Sequence, residues 1–218
     1  MRLRMPAGAL DSGRAVMHRL NYGLRVVQNS ESSSLFFDLD AALQRGSSEK
    51  PAAMLRQLTD LLLSEGERLD EEQIGVFDDV LIRLIEKVEA GTLIEISERI
   101  APVSNAPVGL TLHLARHSEI EIARPVLTNS SRLTTAELVD IANTMSQDHL
   151  LAISKRAQLE MALTDLLLDR GNEAVFNSVA GNFGASFSET GFAVLLKSVR
   201  AIVAPAAVNE PRETEARA

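Results

Sequence analysis

The stretch Asp70-Glu-Glu-Gln-Ile-Gly-Val-Phe-Asp-Asp-Val-Leu-Ile-Arg-Leu-Ile-Glu-Lys-Val-Glu-Ala-Gly91 decides the fold class. Ile74, Phe77, Leu81, Leu84, Ile85 and Val88 recur at helical steps and fall on one side of an α-helix. Asp78, Asp79, Arg83, Glu86 and Lys87 fall largely on the other. Asp70 stands three residues before Gln73, a variant of the capping box. In that box two side chains satisfy backbone amides that the first turn of a helix leaves without partners. Gly91 reads as the stop, with a further helix from about Thr92 to Ile100.

The pattern extends both ways. Upstream, Leu55, Leu58, Leu62 and Leu63 lie at helical spacing, and Gly66 ends that run. Downstream, Pro102 and Pro107 bracket a turn, and Asn105 is expected to cap the helix that Pro107 enters. That helix ends near His117. Ser118 with Glu121 and Thr134 with Glu137 give two further capping boxes. Ser146 is expected to cap a short helix over Leu150, Leu151 and Ile153. Leu159 to Arg170 forms the next helix, closed by Gly171. Segments Ala174–Ala180 and Ser188 to about Val203 follow, and Pro205 stops the last.

Residues 50–203 thus predict about nine or ten helices of roughly 8–16 residues, joined by short turns. No segment shows the alternation of a strand. Short helices in close succession imply antiparallel pairs, and pairs bury their apolar faces by stacking. The expected fold is all-α, an α-solenoid of antiparallel helix pairs. An internal echo supports it: Ile122-Ala-Arg-Pro-Val-Leu-Thr-Asn129 resembles Val175-Phe-Asn-Ser-Val-Ala-Gly-Asn182, and each precedes a cap, Thr134 or Ser188.

The expected organisation is a weakly structured segment over 1–48, a helical-repeat domain over 49–203 and a disordered tail over 204–218. Two short helices are plausible in the first segment, around Ala15–Val27 and Leu35–Gln44, and Met5 or Met17 leaves a later start open. The start lacks the continuous apolar core of a signal peptide, since Asp11, Arg14, His18 and Arg19 interrupt it. No apolar run approaches the roughly 20 residues that span a bilayer. The chain has no Cys, which removes disulfides, thiolate metal sites and cysteine nucleophiles and favours a cytoplasmic setting. The net charge is −8. Residues 49–100 hold 13 acidic and 6 basic side chains, so the body repels phosphate backbones and nucleic acid is an unfavoured partner.

The stretch Leu114-Ala-Arg-His-Ser-Glu-Ile-Glu-Ile-Ala-Arg-Pro-Val-Leu-Thr-Asn-Ser-Ser-Arg-Leu133 resembles the bacterial, mainly alphaproteobacterial, domain of unknown function 2336 family. The resemblance continues through Glu137-Leu-Val-Asp-Ile-Ala142, Gln147-Asp-His-Leu-Leu-Ala-Ile153, Val175–Phe187 and Ser188-Glu-Thr-Gly-Phe192. Upstream, Leu58-Thr-Asp60, Phe77-Asp-Asp-Val80 and the Ala101–Pro107 turn also fit. It covers about residues 49–200. It implies HEAT-like helical repeats and no established activity.

Several polar groups fit either a functional or a merely structural role. Arg116, Arg124, Arg132, Arg156 and Arg170 could line one face and take a partner carboxylate or phosphate. Solvated or intrachain-paired arginines explain them as well. Asp78 and Asp79 belong to an acidic helix that could meet a basic partner, or could simply be solvated. His113 and His117 are four apart, a spacing used by zinc-binding helices, with Glu121 four further on. The Glu expected between two metalloprotease histidines is absent, and surface histidines are the simpler reading. Glu119 and Glu121 beside Arg124 suit helix capping better than acid–base work. There is no Gly-x-Ser-x-Gly elbow and no phosphate loop. The sequence therefore points to a noncatalytic protein-interaction scaffold or adaptor with no cofactor and an unidentified protein partner. A metal-binding protein or hydrolase using His113 and His117, and a nucleic-acid-binding repeat protein, are the alternatives. Self-association through an uncapped terminal repeat stays open.

Overall fold

The computed structural model describes residues 49–203. The expected helices Ala15–Val27 and Leu35–Gln44, and the expected tail 204–218, lie outside them. The described residues form ten α-helices: α1 (Glu49–Glu65), α2 (Glu71–Ile85), α3 (Ala90–Ile100), α4 (Val108–Ala115), α5 (Ile120–Asn129), α6 (Thr135–Thr144), α7 (Gln147–Ser154), α8 (Met161–Arg170), α9 (Glu173–Ala180) and α10 (Glu189–Val203). A 3₁₀ turn, Gly66–Arg68, follows α1. Among the described residues there is no strand, only an isolated parallel bridge between Leu159 and Ala185.

The helices pack in two rows. In one row α1 lies on α3, α3 on α5, α5 on α7 and α7 on α9. In the other α2 lies on α4, α6 on α8 and α8 on α10, while α4 and α6 make no such broad contact. Between the rows α1 meets α2, α3 and α5 meet α4, α7 meets α6, and α8 meets both α7 and α9. Apolar side chains from both rows join into one continuous core running from Met54 to Val179. Leu55, Leu81, Ile96, Leu110, Ile122, Ile141, Leu150 and Leu167 are buried along it. Each such side chain contributes roughly 1.5–3 kcal/mol by leaving water. No single short helix could bury its apolar stripe alone, so each depends on its neighbours.

The spacing becomes regular in the second half. Helices α5, α7 and α9 begin at residues 120, 147 and 173, steps of 27 and 26. Helices α6, α8 and α10 begin at 135, 161 and 189, steps of 26 and 28. The echo between Ile122–Asn129 and Val175–Asn182 therefore joins α5 to α9, two steps apart in the same row.

Local signals set most boundaries. The Asp70–Gln73 box forms: Gln73 N–H donates to Asp70 Oδ1 at 2.8 Å, and Asp70 N–H donates to Gln73 Oε1 at 2.9 Å. The Thr134–Glu137 box forms likewise. Three expectations are corrected. Gly91 does not end α2, which stops at Ile85; it lies in the first turn of α3. Ser118 and Glu121 form no box, because the helix begins at Ile120 with Glu119 at its N-cap; the Glu119 amide donates to His117 Nδ1 at 3.1 Å. Leu159 is not helical. It runs extended, its amide donating to the Gly184 carbonyl at 3.0 Å and its carbonyl accepting from Ser186 N–H at 2.9 Å.

Candidate interaction surface

Asp78 projects from α2 toward the start of α4. Pro107 is the N-cap of that helix and has no side-chain acceptor to offer its first-turn amides. Asp78 supplies one from another helix. Its carboxylate accepts from Gly109 N–H at 2.7 Å and from Leu110 N–H at 2.6 Å. Gly109 allows this approach: a Cβ there would stand 2.8 Å from Asp78 Oδ2 and 2.9 Å from Ile82 Cδ1. Burial pushes the Asp78 carboxyl above its ordinary range, against the two amides, while Asp79 adds to the rise and Arg132 opposes it. Asp79 is exposed beside it. Asn105 does not cap α4; its Nδ2 donates to the Gly66 carbonyl at the end of α1.

That bond is the first of a series. A side chain from the loop after one row-one helix reaches carbonyls near the end of the preceding row-one helix. After α7, Arg156 donates from Nη1 to the Leu127 carbonyl and from Nη2 to the Ser130 carbonyl, both at 2.7 Å. After α9, Asn182 Nδ2 donates to the carbonyls of Ser154 at 2.9 Å and Arg156 at 2.8 Å, while its Oδ1 accepts from Gly184 N–H at 2.9 Å. The last carbonyls of a helix have no partner within it, and a cation there also meets the negative end of the helix dipole. Burial lowers the Arg156 pKa.

Histidine ties the rows together elsewhere. His149 is buried on α7, its Nε2 donating to the His117 carbonyl at 2.9 Å and its Nδ1 lying 2.8 Å from Ser146 Oγ. Ser146 occupies the N-cap position of α7, but its hydroxyl is taken by this ring and caps nothing. His113 is exposed on α4, whereas His117 lies in the turn beyond it, so the two do not share a helix. Among the described residues no three His, Asp or Glu side chains stand together as a metal-ligand group.

The arginines read as one face have different fates. Arg116 pairs with Asp140 at 2.7 Å across α4 and α6, and Arg124 with Glu121 at 2.8 Å within α5. Arg170 Nη1 donates to the Ala142 carbonyl, and Arg156 is fixed as above. Arg132, in the loop after α5, is the exception. Its backbone N–H donates to Ser130 Oγ at 3.2 Å, but its Nε is shut off from solvent with no acceptor among the described residues. At the end of the second row, α10 leaves Phe192 and Leu196 exposed one turn apart.

In the row of α3, α5 and α7 the 26- to 28-residue steps begin with α5, and so does the similarity to known sequences. Residues 122–207 match the model of the DUF2336 family, an uncharacterised protein conserved in bacteria. This stretch is similar to the DUF2336 family. Its match holds the Ala-Arg-Pro-Val-Leu element, His149, Arg156 and Asn182 and stops short of Asp78 and the Asn105 cross-link. No curated protein and no solved structure matches the chain. No helix among the described residues is long and apolar enough to cross a membrane.

Sequence reasoning missed the roles of Asp78, Arg156, Asn182 and His149, because each acts on a backbone 26 or more residues away. One signal was present for Asp78. Pro107 followed by Gly109 marks a helix start that cannot cap itself and admits a close neighbour.

Proposed function

We propose that the chain is a noncatalytic protein-interaction scaffold or adaptor, built as an α-solenoid with a cytoplasmic protein partner. The observation that carries this reading is the packing of helices on the next but one, broken only between α4 and α6, with side-chain-to-carbonyl bonds along the first row. Stacked pairs make an extended surface whose shape is set by many small contacts, and such surfaces suit a protein segment. The likeness to HEAT repeats lies in this pairing rather than in repeat length. The 26- to 28-residue steps are shorter than the roughly 40–47 residues of HEAT and armadillo units. The polar groups also favour this reading, since Asp78, Arg156, His149 and Asn182 are engaged in helix capping and cross-linking rather than converging on one cleft.

The test is affinity capture from native lysate, followed by calorimetric titration of the captured protein, purified, into the full chain. The expected result is saturable binding, weakened by charge reversal at an exposed arginine in a variant with an unchanged melting temperature. Absence of any saturable partner, or covalent change in a captured small molecule, overturns the reading.

A further inference from the structure

The loops after α3, α7 and α9 each send a polar side chain to carbonyls near the end of the preceding row-one helix: Asn105, Arg156 and Asn182. The loop after α5 carries Arg132, which makes no such bond. Its side chain has no hydrogen bond or ion pair among the described residues, although its Nε is covered. An N–H removed from water without an acceptor is costly, more so on a charged group, so a fold rarely leaves one there without a partner. The nearest acidic group does not fill the role. Asp78 is close enough for its charge to feel Arg132, but both its oxygens hold the first amides of α4 and no ion pair joins the two. Arg132 lies in the loop that leads into α6, the helix that does not pack broadly on α4.

We propose that Arg132 is the anchor of the interaction surface and takes a carboxylate from an acidic side chain of a protein partner. The inference rests on the scaffold reading above and names one point of contact within it. A guanidinium offers paired donors in a planar fork that matches a carboxylate. The surroundings favour a single negative charge over a phosphate with nearly two. Asp78 and Asp79 are adjacent in sequence on α2, and residues 49–100 hold 13 acidic against 6 basic side chains. Repulsion from these groups grows with the charge of the guest.

The experiment is nuclear magnetic resonance of the arginine Nε–H groups in the ¹⁵N-labelled full chain, with Arg132 assigned by its loss in Arg132→Lys. Three probes are titrated at constant ionic strength: a capped peptide rich in Glu, the same peptide with Gln for Glu, and inorganic phosphate. The expected result is a saturable shift of the Arg132 resonance with the Glu peptide, at least several-fold weaker with phosphate and absent with the Gln peptide. Equal shifts with Glu and Gln peptides, tighter binding of phosphate, or no shift would overturn the proposal. A captured partner that binds Arg132→Gln as tightly as wild type retires this inference and leaves the scaffold reading standing. Loss of both the shift and any saturable partner retires the two together.

Discussion

Asp78→Ala tests whether one helix of the stack caps another. The substitution removes the acceptor for Gly109 N–H and Leu110 N–H, bonds of 2.7 and 2.6 Å. A lost N-cap costs about 1 kcal/mol, and a partly buried amide left unpaired costs about 1–3. The two effects overlap, and removing a half-buried carboxylate returns part of its desolvation cost. The net loss should be about 2–3 kcal/mol, a fall in Tm of about 5–10 °C for a domain of this size. Urea unfolding followed by far-ultraviolet circular dichroism measures it. Gly109→Ala, which would push the carboxylate away, should destabilise less than additively with Asp78→Ala. A loss below about 0.5 kcal/mol, or full additivity, refutes the capping argument. The pH dependence has a defined sign. Burial raises the Asp78 pKa above its ordinary value of 3.8, so the folded state holds that proton more tightly than the unfolded chain. The resulting stability is fully present below the unfolded value and is lost as pH rises through the folded one. Wild type should therefore gain on Asp78→Asn as the solution is acidified through the range just above 3.8.

Other substitutions probe the cross-links. Arg156→Ala should cost about 2–3 kcal/mol by unpairing the Leu127 and Ser130 carbonyls, and Arg156→Lys should recover no more than about half, both read by urea unfolding. Gly184→Ala would place a methyl 1.9 Å from the Ala157 carbonyl oxygen, a backbone atom that cannot swing aside. A loss of about 2–3 kcal/mol is expected, with faster hydrogen exchange at the Leu159 and Ser186 amides that bridge this loop. His149→Leu keeps the apolar bulk but orphans the His117 carbonyl and Ser146 hydroxyl, and should lower Tm by a few degrees, equivalent to about 1–2 kcal/mol, in calorimetry.

The two levels of structure differ in how far the sequence reveals them. Helices with capping boxes were legible, since Asp70 with Gln73 and Thr134 with Glu137 act within one turn. Ser118 with Glu121 has the same spacing and no box, because the helix starts at Ile120 with Glu119 at its N-cap. The right spacing makes no cap when the helix starts one residue later. Gly91 misled for a related reason: glycine is tolerated in a first turn as well as at a stop, and burial of Leu93 and Ile96 carries the α3 register through it. Among the arginines the five looked alike as sequence. Only the fold separates Arg156, inserted among carbonyls of the previous helix, from Arg132, whose loop is equivalent but whose guanidinium has no partner among the described residues.

The central claim is that the two-row stack is a binding surface. Hydrogen–deuterium exchange of the full chain, with and without a saturating captured partner, tests it most directly. The account predicts new protection along one contiguous face, including the loop that carries Arg132, with the core amides of α3, α5 and α7 unchanged. Protection scattered over both rows, or none at saturation, would contradict it.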